Sequence, residues 1–502
     1  MEILRANNYE ELKKTIGKAT ECTEAIEIQL EPYGDFEAGQ HTLQISCPVV
    51  IDGCGATIHS ERSIVFLITS SDVEVKNCYI DNAQTGIAID PSGRKIENIT
   101  IRGNRFSNYH SFSIYTGSTR SNGVLRHCVI EGNEFVGKDF IEEESMAEFT
   151  CAISVNAANA KDGTPVDNCV IEDLTIRKNN SHGGSRLAIN ICTGACNFMD
   201  APKIGLRHNS VIRDVRILDN HFDGAWDATV NFSGGIIGEE DSSIENVEIA
   251  YNRICHGLWG IGLAGNEPLF GEMSHIYTRK FDIHHNVLIK QDVDVGEPVC
   301  AIGIICGRID YYGGVKVHDS CNEGYRIHDN TITNADNGIA LWGASALLDG
   351  NDSELENCHN RNFEIYGNRI YATDTPFRFA AASLEGRLFD WNIGYPRHNK
   401  AWAELHGSND ITTCRCHNNS IDGVFCHDNY VKGYRYKYKI IGAEARGHGN
   451  VRGNAIKSIK IGNNRFEDGE GHVLVADCVL EDWAQDGGEN SCGIMAEGKL
   501  NL

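Results

Sequence analysis

One order of apolar and polar positions recurs along this chain: an apolar residue, two further residues, asparagine, any residue, then a large apolar or aromatic one. It reads Ile101-Arg-Gly-Asn104-Arg-Phe106 and Ile130-Glu-Gly-Asn133-Glu-Phe135. It returns with Asn220, Asn252, Asn286, Asn330, Asn368 and Asn464 in the fourth place, and in weaker form around Asn179 and Asn429. Val75-Lys-Asn-Cys78-Tyr-Ile80 carries cysteine in the asparagine slot. Apolar residues two apart, such as Ile99 and Ile101, face one side of a strand. Asparagine tolerates the left-handed backbone of a sharp turn, and the next apolar residue points inward again. One copy would mark a turn. Ten asparagine copies predict stacked coils with their amides bonded up one column.

Successive asparagines lie 29, 46, 41, 32, 34, 44, 38, 61 and 35 residues apart. A bare coil of three short strands needs roughly 20–25 residues, so the excess must leave as loops, where sites are usually built. A second strand signal follows each loop, as in Ala152-Ile-Ser-Val-Asn156, Ala188-Ile-Asn-Ile191, Ala228-Thr-Val-Asn-Phe232, Gly260-Ile-Gly-Leu263 and Gly338-Ile-Ala-Leu-Trp342. Alternation sends Ser154, Asn156, Asn190, Asn231, Trp342 and Arg378 outward, like the floor of a cleft.

At the start of the chain Asn8 can cap a helix with Glu11, and Tyr9, Leu12 and Ile16 share its inner face. This helix is expected to plug the first coil. The division is then a cap and first coil over 1–41, the solenoid over 42–470, and a last coil and cap over 471–502. These repeats, from about Thr42 to Gly469, resemble those of the pectate-lyase-like superfamily of right-handed parallel β-helices. The resemblance implies an all-β solenoid of about 11–13 coils, an N-terminal capping helix and long loops on one side. It also implies carbohydrate chemistry, since that superfamily includes glycoside hydrolases, polysaccharide lyases, fructotransferases, epimerases and viral tailspikes.

Composition narrows the function classes. The net charge of −25 disfavours nucleic acid as a partner. Met1 to Thr20 has no apolar stretch of signal-peptide length, and no run approaches a spanning helix. The 19 cysteines are odd in number and scattered through apolar strands, which points to free thiols and a cytoplasmic, reducing compartment. The expected partner is an oligosaccharide or polysaccharide, with no membrane, no cofactor and no metal; a homodimer or homotrimer fits such solenoids.

Several motifs carry less than they suggest. Gly260-Ile-Gly-Leu-Ala-Gly265 matches a dinucleotide fingerprint but sits inside the repeat with no helix after it. Gly447-His448-Gly449 resembles one polygalacturonase element, but the Asn-Thr-Asp, Asp-Asp and Arg-Ile-Lys elements of that family do not occur. Cys414, Cys416, His417, Cys426 and His427 lack clean zinc spacing. In Lys432-Gly-Tyr-Arg-Tyr-Lys-Tyr-Lys439, alternation places Tyr434, Tyr436 and Tyr438 on one face and Arg435, Lys437 and Lys439 on the other.

Carboxylates gather in the central coils: Asp223 and Asp227 about Trp226, then Glu239, Glu240 and Asp241, then Glu267 and Glu272. Glycoside cleavage needs one carboxyl as acid and another as base or nucleophile. Asp227 and Glu267, with Asp223 in reserve, are the expected pair. Asn156, Asn190 and Asn231 would bond sugar hydroxyls, Trp226, Trp259 and Trp342 would stack on sugar faces, and Arg378 would bind beside them. The loops expected over this sheet are 107–125, 138–165, 192–212 and 371–410. Uronate lyase or epimerase chemistry, with Lys437 and Arg378, is the second expectation, and a non-enzymatic glycan-binding or tailspike-like solenoid the third.

Overall fold

The computed structural model describes residues 2–21, 26–137, 150–159, 164–183, 185–194, 207–225, 228–234, 239–255, 257–266, 271–290, 300–309, 314–346, 352–384, 414–446 and 450–481. The chain is a parallel β-helix. Each coil crosses three parallel sheets in turn. Sheet 1 holds long strands such as Lys95–Arg102, sheet 2 short ones such as Arg105–Ser107, and sheet 3 those such as Phe112–Ser118. Sheets 2 and 3 have 13 strands each, one per coil, at the upper end of the expected number. Strand neighbours are in parallel register, for example Ile101 with Ile130 and Ile130 with Ile176, with local shifts at Glu37–Gly39, Thr116–Ser118 and Tyr436–Tyr438.

The corner between sheets 1 and 2 explains the repeated phrase. Asn104 Oδ1 accepts from Cys78 N at 3.0 Å, and the backbone N–H and Nδ2 of Asn104 both donate to Asn133 Oδ1, at 3.0 and 3.1 Å. Asn133 does the same to Asn179, and the pattern runs through Asn220, Asn252, Asn286, Asn330, Asn368 and Asn429 to Asn464. The ten asparagines therefore form one column, buried except at its half-buried last member, Asn464. The left-handed residue is not the asparagine, as the sequence suggested, but the one before it: Gly103, Gly132, Lys178, Asp219, Tyr251, His285, Asp329, Gly367, Asp428 and Asn463 all have φ between 53° and 64°. That residue turns the chain, and the asparagine uses the turn to bury its amide among backbone groups that need partners.

Inside, stacked apolar rows such as Phe281, Tyr325 and Phe363 fill the solenoid, with ring centroids 4.8 and 4.6 Å apart. The first coil is closed by the helix Tyr9–Ala19, which buries Tyr9, Leu12 and Ile16. Asn8 caps it by accepting from Glu11 N at 3.0 Å, while the Glu11 carboxylate accepts from Asn7 N rather than Asn8. Asn8 thus satisfies one free N–H of the first turn, while Glu11 ties down the residue ahead of the cap.

The long connections adjoin sheet 3. They lie between sheets 2 and 3, as from Val136 to Cys151 and Ile289 to Cys300, or between sheets 3 and 1, as from Gly194 to Arg207 and Leu384 to Arg415. The corner between sheets 1 and 2 stays tight throughout. Three stretches expected as loops contain sheet 3 strands: Phe112–Ser118 within 107–125, Cys151–Ala158 within 138–165 and Thr375–Leu384 within 371–410. Fifteen cysteines have described side chains, all outside disulfides and all buried except the half-buried Cys54. No described helix is long and apolar enough to cross a membrane.

Candidate functional site

The outer face of sheet 3 carries the predicted substrate-binding side chains, but in two rows rather than one. Each strand bends near its start, so that Ala152 and Ile153 both enter the core before alternation resumes. Ser154, Asn190 and Asn231 then stand in register on three successive coils, followed by Gly262, Gly303, Ala340, Arg378 and Lys439. Asn156 pairs instead with Cys192, in the row that leads through Ile305 to Trp342. Sequence alternation could count the outward positions but not which of them match across coils of unequal length.

The amides make a short outer ladder. Asn231 Nδ2 donates to Asn190 Oδ1 at 2.9 Å, and Asn190 Nδ2 reaches Ser154 Oγ only at 3.5 Å. Asn156 Nδ2 donates to Ser154 Oγ at 3.1 Å and to the Thr116 carbonyl at 3.3 Å. Asn156 Oδ1 is buried and accepts no hydrogen bond from the described residues. A buried acceptor left unmet costs about 1–3 kcal/mol, so this atom is poised for a donor.

Where the amide row ends, aromatic rings begin. A Cβ on Gly303 would stand 2.0 Å from the Trp259 ring, so the indole occupies the space that the missing side chain leaves. Gly262 is different, since a Cβ there would meet nothing nearer than 3.6 Å. The Trp259 and Trp342 rings are 5.7 Å apart and inclined at 45°. Arg308 lies 5.2 Å from the Trp259 ring and Arg378 lies 5.5 Å from the Trp342 ring, a separation at which cation and ring attract. Trp342 Nε1 is buried without a hydrogen-bond partner among the described residues. With Cys151, Leu187, Ala228, Cys300, Ile305, Ala340 and Ile441, the two tryptophans form an apolar cluster on the outside of the sheet, separate from the solenoid core. This face is enclosed: Trp259, Trp342 and Arg378 expose 8%, 5% and 7% of their surface.

Two basic groups join this face, of which only Lys290 escaped sequence reasoning. Lys290 closes a sheet 2 strand and is fully buried, donating from Nζ to the Gly257 carbonyl at 2.8 Å. Burial pushes its ammonium down to about 7, against a smaller opposing pull from Cys300 and Cys255. Cys300 in turn feels Lys290, Arg378 and Asp336, and burial raises its thiol to about 12. Nothing in the repeat marks Lys290, because position alone tells a snorkelling lysine from a sealed one. Lys439, the second, has its Nζ 3.2 Å from Asp374 Oδ2 and 4.3 Å from the Tyr436 ring.

The carboxylates separate. Asp223 ends the strand His221–Asp223, half-buried and in register with Cys255. Trp226, Asp227 and Glu267 lie outside the described residues, as do His448 and its glycine neighbours. Ala228, next to Asp227, opens its sheet 3 strand opposite Trp259; Asn266, next to Glu267, closes that neighbouring strand seven residues on. At ~3.3 Å per residue those strand ends are about 23 Å apart, whereas paired glycosidase carboxyls stand roughly 5–9.5 Å apart. Glu240 and Glu272 belong to sheet 1, where Glu272 pairs with His318 at 2.6 Å.

In the basic stretch before Lys439, Tyr434 and Tyr438 are buried inward, but Tyr436 stands outward with Lys439. A register irregularity between Tyr436 and Tyr438 breaks the expected alternation. Lys437 lies 5.4 Å from the Phe466 ring. Cys414, Cys416 and Cys426 are buried in the core, while His427 pairs outward with Asp428 at 2.7 Å, so this group shares no centre.

No family model matches this sequence, and no curated protein matches it. Among solved structures, the chain is similar to the surface adhesin PfbA of Streptococcus pneumoniae, at 12% identity over 96% of this chain and 92% of that one, with a TM-score of 0.39. It is also similar to an exopolygalacturonase from Thermotoga maritima, at 10% identity over 92% and 91% of the two chains, with a TM-score of 0.43. The tailspike protein of Escherichia coli bacteriophage HK620 matches at 10% identity over 90% of this chain and 74% of that one, with a TM-score of 0.37.

Proposed function

We propose that the chain acts on a glycan held against the outer face of sheet 3, and that it cleaves a glycosidic bond there. One observation carries this reading: a row of polar side chains, the Ser154 hydroxyl and the Asn190 and Asn231 amides, runs in register into the tryptophan pair over Gly303. Hydroxyl-bonding amides beside flat apolar rings suit a sugar, whose edge is polar and whose face is not. The unmet Asn156 Oδ1 and Trp342 Nε1 add an acceptor and a donor. Asp227 is the general acid in this reading and Asp223 its partner, because both adjoin the same end of sheet 3. The buried free thiols support a reducing compartment.

The test is product analysis on a panel of neutral and acidic oligosaccharides, read by new reducing ends. Asp227→Asn is expected to lose ~10²–10⁴ in rate with the fold kept. Equal rates in the two proteins would remove Asp227 from the mechanism. Lys290 supports a second reading. A buried amine titrating near neutrality, in the company of Arg378, suits proton abstraction from a uronate whose carboxylate the arginine neutralises. Products absorbing in the ultraviolet, lost in Lys290→Met, would decide for elimination over hydrolysis.

A further inference from the structure

On the opposite side of the molecule from the tryptophans, the sheet 1 strands end at the asparagine corner, and there one ligand atom each from His285, His328 and Asp329 lie within 4.8 Å of one another. We propose that these three side chains bind a divalent transition metal of the zinc class. His285 and Asp329 occupy the same left-handed corner position on successive coils, with φ of 53° and 54°. Beneath them the column bond from Asn286 N to Asn330 Oδ1, 3.0 Å long, fixes the distance between the two corners. The site is therefore built on the most rigid line of the fold.

His328 is oriented for the task. Its ring lies between His284, at 5.0 Å and 12°, and Tyr366, at 4.6 Å and 4°. Its Nε2 bonds Asp282 Oδ1 at 2.9 Å, and Arg326 pairs with the same carboxylate. A carboxylate on one ring nitrogen fixes the proton there and leaves the other nitrogen to a metal. That other nitrogen, Nδ1, lies 2.8 Å from Asp329 Oδ2. Zinc ligands at ~2.0–2.2 Å in tetrahedral array stand roughly 3.3 Å apart. The pair must open by only about half an ångström, and Asp329 is exposed and can give. Two imidazoles and one carboxylate favour zinc, nickel or copper over calcium or magnesium, which take oxygen ligands. Water completes the shell.

The test is calorimetric titration of the full chain, freed of metal by chelator, with zinc chloride and then with magnesium chloride. The expected result is one equivalent of zinc and no magnesium. His285→Asn and Asp329→Asn each remove one ligand, and asparagine suits the left-handed corner, so both should fold with an unchanged melting curve and lose zinc affinity at least tenfold. Asp282→Asn keeps all three ligands and is expected to weaken zinc about 10–100-fold through the orienting bond. Zinc held by thiols, or by the Glu240, Asp241 and His275 group, would titrate alike in all four proteins. That result would overturn the proposal, as would a wild-type chain that takes up no zinc.

Discussion

The molecule stacks asparagines twice, and the two stacks behave differently. In the corner column every Asn Oδ1 from Asn133 to Asn464 accepts both from the backbone N–H and from the Nδ2 of the residue before it in the column. On the outer face of sheet 3, the amides of Asn190 and Asn231 meet one another, the next contact stretches to 3.5 Å, and Asn156 Oδ1 meets no donor among the described residues. Residue and stacking geometry are alike. What differs is that the column consumes all the hydrogen-bonding capacity of its amides, whereas the outer row keeps some unused. The first arrangement stabilises a fold, and the second leaves capacity for a ligand.

Four substitutions would break or sharpen that contrast. The largest effect is expected at the column. Asn286→Ala strands the Asn252 N–H and the Ile249 carbonyl in a dry interior, and should cost about 3 kcal/mol of unfolding free energy. An unchanged denaturant midpoint would mean that the column is a consequence of the fold and not a support. Asn190→Ala, in the outer row, should cost less than about 1 kcal/mol in the same assay, and weaken glycan binding about tenfold in a fluorescence titration of the tryptophans. Equal stability losses at Asn190 and Asn286 would erase the distinction.

A third measurement tests burial without a ladder. His359 bonds Ser420 Oγ at 2.8 Å, and burial, helped by Arg361 and Lys457, depresses its imidazole to about 4. The folded value lies below the unfolded one, so the unfolded chain binds the extra proton. Stability should therefore fall as pH drops from about 6.5 toward 4, by an amount on the order of 1 kcal/mol for a half-buried group. His359→Asn should flatten that slope in melts taken at successive pH values; an unchanged slope would assign the acid lability to other groups. The smallest effect is expected at Glu240→Gln, on sheet 1, where activity should stay within about twofold. A large loss there would move the site off sheet 3.

The fold was legible because a parallel β-helix repeats its corner chemistry in every coil, and the asparagine phrase is that chemistry written out. Its details were less so. Asparagine's own tolerance of left-handed backbone pointed to the wrong residue, since the strained position before it holds anything from Gly103 to Tyr251. The outward set on sheet 3 was readable by alternation. Its register was not, because Ser154 and Asn156 are both outward and only the bend at Ala152 and Ile153 decides which one meets Asn190. Trp259 and Trp342 were readable as candidates, but their packing over Gly303 depends on contacts between coils. Asp227 and Glu267 were paired by coil adjacency, and both lie outside the described residues.

The corner before each column asparagine has a consequence for what could be made of this molecule. Its ten positions hold glycine, lysine, aspartate, tyrosine, histidine and asparagine in no order, all in one backbone shape. Nearly any side chain is admitted there, at a steric cost of roughly 1 kcal/mol over glycine. The line works as a ruler with one interchangeable mark per coil, about 4.8 Å apart. Reactive groups, dyes or charges grafted along it would be held at known multiples of that interval, with the amide column beneath keeping the scale.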